Sequence, residues 1–281
     1  LLFLHIPKTA GVSVMRLLWR KRVVRHPPSW LRPRLAIGFA GQGDHEARLQ
    51  RVETLSVSQQ KKVRLFHGHY GFGAHERFAT TTSYFTVLRD PIGRAFSNYR
   101  YAIQRGEIAE GATIHEMLDA DRTGNKFAGD NAQVRYLAGE RGNPILEGQV
   151  TQTMADVACE RLQSEFPVVG ITERLDESLL LLAGEWNWPS IAMASYNATR
   201  RTDPSNKTAT PSAEQQQVLE ESNFYDLKLY DLGVERFERA VAAVGDMPAR
   251  LEKHRLECET YASRIKSFDK VLRLVGRRSR R

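Results

Sequence analysis

Apolar and polar positions divide the chain into short, solid apolar runs and longer stretches of helical period. Residues 1–6, LLFLHI, suit a strand buried on both faces, as parallel strands are. Val14, Leu17, Leu18 and Lys21 then recur at helical spacing, which predicts a helix over 13–22. Three prolines between 27 and 33 break that pattern, and the polar, glycine-containing 36–50 reads as loop. A second strand is predicted at 63–66, ahead of the glycine-punctuated HGHYGFGAHER at 67–77. YFTVL at 84–88 is a third strand, stopped by Arg89-Asp90-Pro91. Pro91 suits a first helical position and Asp90 its cap, giving a helix over 92–104. Beyond it, 114–118 and 133–137 read as short helices in a loop-rich middle. FPVVGI at 166–171 is a fourth strand, and 176–183 a helix ended by Gly184. The polar stretch 196–211 reads as a long loop or lid. Ser212 caps a helix over 213–222, and helices follow at 225–244 and 248–274. No internal repeat is visible. Strands alternating with helices predict an α/β fold: a doubly wound, mainly parallel central sheet flanked by helices, with a helical C-terminal region.

Composition narrows this picture only a little. At 281 residues, 41% apolar and 26% charged, the chain suits one globular domain over 1–275. The basic end GRRSRR, 276–281, reads as a disordered tail. No apolar run approaches ~18 residues, so no membrane span is expected. Cys159 and Cys258 make neither a framework nor a metal cluster, and read as buried thiols or a single disulfide. The formal charge of +8 points to anionic partners. On charge alone a nucleic-acid or polyanion binder, an enzyme of anionic polysaccharides and a nucleotide enzyme all stand.

The first turn, PKTAGVS, changes the picture more. A helix that starts just after a strand gathers unpaired N–H groups and partial positive charge, and so attracts phosphate. Lys8 adds a full charge, Thr9 and Ser13 add hydroxyls, and Gly11 lets the backbone approach an anion closely. A plain strand–helix connection with a surface lysine is the alternative. The turn is not a Walker A loop, because glycines are missing ahead of the lysine. A nucleotide kinase would therefore need an atypical phosphate loop. The second informative stretch, YFTVLRDPIGRAFSNYRY, places Arg89 at the carboxyl end of a buried strand, where open α/β sheets bind ligands. Gly93 and Ser97 share a helical face beside it. A guanidinium fork with a hydroxyl suits a phosphate monoester, although Arg89 paired with Asp90 is an equally simple account.

Together the two stretches resemble the PAPS-dependent sulfotransferases (PAPS is 3′-phosphoadenosine 5′-phosphosulfate), especially the carbohydrate branch that includes heparan sulfate 2-O-sulfotransferase. The resemblance implies that Lys8, Thr9, Ala10, Gly11, Val12 and Ser13 cradle the 5′-phosphosulfate, and that Arg89 and Ser97 grip the 3′-phosphate. FHGHYGFG resembles the branch's H-G-H element, which supplies its base; VGITERLDESLLLL resembles its G-x-T-E strand and helix. SNKTATPSAEQ resembles its late K-T loop, which puts Lys207 and Thr208 over the nucleotide. NFYDLKLYDLGVERF resembles its C-terminal helix. Gly11 departs from the usual small hydroxyl or alanine, and stretches such as 27–60 carry no motif that can be placed in the family.

The implied reaction is sulfuryl transfer from PAPS to a hydroxyl of a carbohydrate or related acceptor, with no metal. Lys8 would stabilise the leaving phosphate. His69 is chosen as base, since an imidazole titrates near neutrality. If 66–70 stays extended, His67 points the same way and orients the base or touches the acceptor. His75 is a weaker candidate, His5 is expected to pack under the first loop, and Glu173 either orients a base or ends a strand. Arg100, Arg105, Arg135, Arg200, Arg201 and Lys207 are candidates for an anionic acceptor, or else a solvated basic surface. Trp186 and Trp188 stack on a ligand or anchor a loop. Aromatics interleaved with basic residues, the mark of single-strand binders, are absent, so nucleic acid is not expected. No signal peptide is visible, which suggests a cytoplasmic chain; a Golgi lumenal domain parted from its anchor is the alternative.

Overall fold

The computed structural model describes residues 1–22, 36–37, 45–63, 65–122, 129–146, 148–188, 191–192 and 210–278. Five parallel strands form the sheet: β1 (Leu2–Leu4), β2 (Ala36–Ile37), β3 (Leu65–Gly68), β4 (Tyr84–Leu88) and β5 (Val168–Ile171), in the order β2-β3-β1-β4-β5. β2 adds only two residues at the edge. Every residue of β1, β3, β4 and β5 is buried, as a sheet covered by helices on both faces requires.

The helices are α1 (Gly11–Arg22), α2 (His45–Glu53), α3 (Val57–Gln60), α4 (Pro91–Gln104), α5 (Ile114–Arg122), α6 (Ala132–Leu137), α7 (Gln152–Ser164), α8 (Leu175–Glu185), α9 (Ala213–Ser222), α10 (Phe224–Val244) and α11 (Met247–Arg278). Short 3-10 turns occupy Ala74–Arg77 and Thr172–Arg174. The doubly wound α/β expectation holds.

β1 is the pivot. Leu2 pairs with Phe66 of β3 on one side and with Tyr84 of β4 on the other. The chain therefore changes side at β1, and the carboxyl ends of β1, β3 and β4 open into the crevice where such sheets take ligands. The ring of Phe3 stacks on Phe85 with centroids 4.5 Å apart, which locks β1 to β4 inside the core.

Several elements differ from expectation, β2 falling in the stretch read as loop and α3 where no helix was expected. α2 overlaps the stretch read as loop, because among its described side chains only Leu49 and Val52 are buried, too few for a clear period. α7 sits in the loop-rich middle; Thr151 caps it, and small Ala155 and Ala158 supply most of its buried face with Leu162. α11 runs on to Arg278, into the basic end expected to be disordered, and 279–281 lie outside the described residues. Cys159 and Cys258 are partly exposed and not bridged to each other. Among the described residues no helix is long and apolar enough to cross a membrane.

Candidate active site

The first turn leaves β1 and passes through two left-handed residues, Lys8 (φ 71°) and Ala10 (φ 57°), before α1 begins at Gly11. Left-handed residues alternating with ordinary ones turn successive N–H groups to one side, the backbone form of anion-binding concavities. Neither residue is glycine, so strain is stored here, as it is at functional turns. Thr9 is turned inward: its side chain is fully buried and its hydroxyl donates to the Ile6 carbonyl at 2.9 Å. It can offer an anion only its backbone N–H, not the hydroxyl expected of it. Ser13 is the reverse case, since its N–H donates to Ala10 O and its half-buried side chain keeps a hydroxyl at the turn. Gly11 has a second reason beyond ligand approach. An added Cβ would fall 1.6 Å from Nε2 of His5, whose ring lies beneath the turn.

Arg89 stands just past the end of β4, half-buried. Asp90 caps α4 by accepting from the Gly93 N–H at 2.6 Å, and Pro91 fills the first helical position. A Cβ on Gly93 would meet Asp90 Oδ2 at 2.9 Å and Arg89 Nη2 at 3.8 Å, so the glycine keeps the helix face open beside the guanidinium. Ser97 follows one turn on along that face. Arg89 Nη1 donates to the Lys8 carbonyl at 3.0 Å, which joins the two stretches directly. From the other direction, Lys8 Nζ lies 4.1 Å from the ring centroid of Tyr101, one further turn along α4. The predicted phosphate turn and the predicted Arg–Ser element thus face one crevice.

The histidines separate. β3 ends at Gly68 and the chain bends at His69, so 66–70 does not stay extended. His67 is fully buried in the sheet, so its ring does not line the cleft to touch an acceptor as the extended reading expected. His69 is half-buried, and its Nδ1 lies 2.7 Å from the His5 carbonyl. A carbonyl only accepts, so Nδ1 carries a proton, and in the neutral ring the lone pair is on Nε2. The His69 ring sits 4.3 Å from that of His5, which in turn stacks on Phe3 at 5.3 Å. A column of rings therefore runs from the core to the crevice. Burial first, then the neighbouring charges of His69 and His67, holds His5 well below the ordinary imidazole value. It stays neutral.

Burial, followed by the charges of His69 and Arg48, also pushes His67 down to about 4. The unfolded chain therefore binds the proton that the native state refuses. This part of the stability is present above pH ~6.5 and is lost as pH falls towards ~4, at up to about 1.4 kcal/mol per pH unit. Denaturant melts across that window are expected to show a shallower pH slope for His67→Leu than for the parent chain. An unchanged slope would place the lost proton elsewhere.

A family model for sulfotransferases matches residues 1–233, which takes in the whole sheet, both stretches of the crevice and the first half of α10. The chain belongs to the sulfotransferase family. It is 27% identical over 286 aligned positions to heparan-sulfate 6-O-sulfotransferase 2 of Gallus gallus, covering 84% of this chain and 66% of that protein. It is 25% identical over 207 positions to heparan sulfate 2-O-sulfotransferase 1 of Xenopus laevis, covering 66% of this chain and 56% of that protein. The chain thus spans about two thirds or less of the length of these curated relatives.

In this sulfotransferase several predicted residues are engaged by other parts of the chain. His75 holds Tyr84, its N–H 2.9 Å and its Nδ1 3.1 Å from the phenol oxygen. Glu173 faces Arg89 rather than a histidine: it lies 3.9 Å from Nε and accepts from the Asp90 N–H and the Tyr230 hydroxyl. Arg135 is buried, donates to Ile145 O and pairs with Asp130. Trp186 and Trp188 pack against the core, Trp186 beside Phe85. Lys207, Thr208, Arg200 and Arg201 lie outside the described residues, and of Val12 only the backbone is described. Sequence reasoning missed Tyr101 and a buried polar group behind Arg89, made of Arg94, Asn131, Gln133, Asn223 and Asp226. Of its members only Arg94, Gln133 and Asp226 fall within predicted helices, where polar residues more often face water.

Proposed function

We propose that this sulfotransferase moves a sulfuryl group from PAPS to a hydroxyl of a carbohydrate acceptor, as the names of its relatives suggest. The observation that carries the reading is the 3.0 Å bond from Arg89 Nη1 to Lys8 O. It ties two anion-binding elements into one crevice at the ends of β1 and β4, suited to a nucleotide with a phosphate at each end. Gly93 fits the same ligand, since it leaves the space beside the guanidinium that a larger residue would fill. PAPS, when bound, supplies an activated sulfuryl group on its 5′-phosphate.

Each residue then has a task. The turn from Lys8 to Ser13 holds the 5′-phosphate through backbone N–H groups, the Ser13 hydroxyl and the start of α1. Arg89 and Ser97 hold the 3′-phosphate. His69 Nε2 takes the proton from the acceptor hydroxyl as that oxygen forms its bond to sulfur. Lys8 Nζ leaves the Tyr101 ring to meet the charge that gathers on the oxygen between phosphorus and sulfur as its bond to sulfur breaks. An anionic polysaccharide would suit the net charge of +8.

Transfer of radiosulfur from labelled PAPS to a panel of partly desulfated polysaccharides tests the activity. The site is tested by binding: Arg89→Ala and Ser97→Ala are each expected to weaken 3′,5′-bisphosphoadenosine by about ten- to a hundredfold and to leave AMP nearly unchanged, since a bond to a charged group is worth ~1.5–3 kcal/mol. Equal losses for both nucleotides would remove the 3′-phosphate from Arg89.

A further inference from the structure

Behind Arg89, out of reach of any ligand, the amide of Gln133 bonds the arginine's main chain twice. Gln133 Oε1 accepts from the Arg89 N–H at 3.0 Å, and Gln133 Nε2 donates to the Arg89 carbonyl at 2.9 Å. Gln133 is fully buried. We infer that Gln133 is the positioning residue that gives the crevice its preference for a 3′-phosphorylated nucleotide, by fixing the backbone from which the Arg89 guanidinium projects. The inference rests on the reading of Arg89 given above and extends it to a residue that touches no substrate.

The need for such a clamp follows from the sheet. The β4–β1 ladder stops at Thr86, opposite Leu4, and the β4–β5 ladder stops at Leu88, opposite Ile171. Arg89 therefore has no strand beside it, and its backbone groups must be met by side chains. Three residues complete the strand end. Thr172 donates its hydroxyl to Leu88 O at 2.9 Å, Gln133 takes both groups of Arg89, and Glu173 accepts from the Asp90 N–H at 3.2 Å. Of these only Gln133 bonds the Arg89 main chain, while Glu173 lies 3.9 Å from Nε of its guanidinium.

Gln133 is in turn held from behind. Its own N–H and that of Val134 donate to the two oxygens of Asp226 at 3.0 and 2.8 Å, at the start of α6. Asp226 lies 3.9 Å from Arg94 Nε, with both side chains fully buried. Arg94 Nη2 reaches Asn223 Oδ1, which also accepts from the Asn131 N–H; Asn131 Oδ1 accepts from the Tyr225 and Asp226 N–H groups. The network ties α4, α6 and α10 together behind the arginine, so the guanidinium's root is set by three helices rather than by a loop. A site that must place a fork on a phosphate needs its support fixed in this way.

The test uses the full chain and reads affinities, not turnover. Gln133→Met removes both bonds while keeping length and burial. Its expected result is a roughly tenfold loss of affinity for 3′,5′-bisphosphoadenosine, with AMP unchanged within about twofold. Arg161→Met is the control, because Arg161 Nη1 bonds Leu137 O and Gly139 O at the opposite end of α6. It is expected to lower Tm and to leave the ratio of the two affinities alone. Gln133→Glu keeps the acceptor for the Arg89 N–H and loses the donor to its carbonyl, so an intermediate ratio is expected; this variant decides the matter if Gln133→Met does not fold. An unchanged ratio in a folded Gln133 variant, or an equal fall in Arg161→Met, overturns the inference. A parent chain that itself binds AMP as well as the bisphosphate defeats the reading of Arg89, and the inference with it, before any substitution is made.

Discussion

His69→Ala is expected to bind PAPS as tightly as the parent chain and to lose about 10²–10⁴ in turnover, the range that a positioned general base supplies. The expectation rests on tautomer and place. Nδ1 is committed to the His5 carbonyl at 2.7 Å, so the neutral ring has its lone pair on Nε2, and the ring is half-buried. Imidazole general bases must be neutral to act, so the acidic limb of the rate profile should vanish in the variant. His67→Leu offers the contrast. Its ring is sealed in β3, and its loss should change the pH dependence of stability and leave the acidic limb in place. Steady-state rates with saturating acceptor, measured from pH 5 to 9 as a rough span around the imidazole pKa, check both. A folded His69→Ala protein with ordinary turnover would end the base assignment.

The second large effect belongs to Lys8. Lys8→Ala is expected to lower kcat far more than it weakens the bisphosphate product, on the order of 10²–10³, as when one donor to a developing oxyanion is removed. The reason is that charge on the bridging oxygen is greatest in the transition state, so an ammonium aimed there acts more on that state than on bound substrate. The left-handed backbone at Lys8 makes the prediction specific. Lys8→Arg, at the same φ but with a longer, planar head, should recover binding without recovering turnover. A Lys8→Ala chain whose only change is a higher KM for PAPS would make the lysine a ground-state anchor.

How much of this could be read beforehand depended on whether the signal was local. β4 and the cap of α4 were legible residue by residue, because an apolar run, a capping Asp90 and Pro91 at the first helical position each act within a few residues. So was the crevice, since the first turn and Arg89 both sit where strands of an α/β sheet end. What failed was long-range. His67 and His69 alternate correctly only if the strand continues, and β3 stops at Gly68, where its pairing with β1 stops at Leu4. Thr9 looks like a donor to phosphate until the fold shows its hydroxyl on Ile6 O. Gly11 reads as space for a ligand, but its neighbour is a ring six residues earlier. The Gln133 clamp joins residues 44 apart in the chain, and Asp226 lies a further 93 beyond Gln133. Neither carries a periodic or motif signal that marks it as support for Arg89.

A calorimetric titration of the full chain with 3′,5′-bisphosphoadenosine, AMP and ATP under one set of conditions separates a two-phosphate site from a one-phosphate site. The crevice described here has a place for a phosphate at each end of an adenosine, one at the Lys8 turn and one at Arg89. The bisphosphate is therefore expected to bind at least about tenfold more tightly than AMP, the effect of a charge-assisted contact of ~1.5–3 kcal/mol. ATP, which adds its phosphates at the wrong end, should show no such gain. Equal affinity for the bisphosphate and AMP, or tighter binding of ATP, would contradict it.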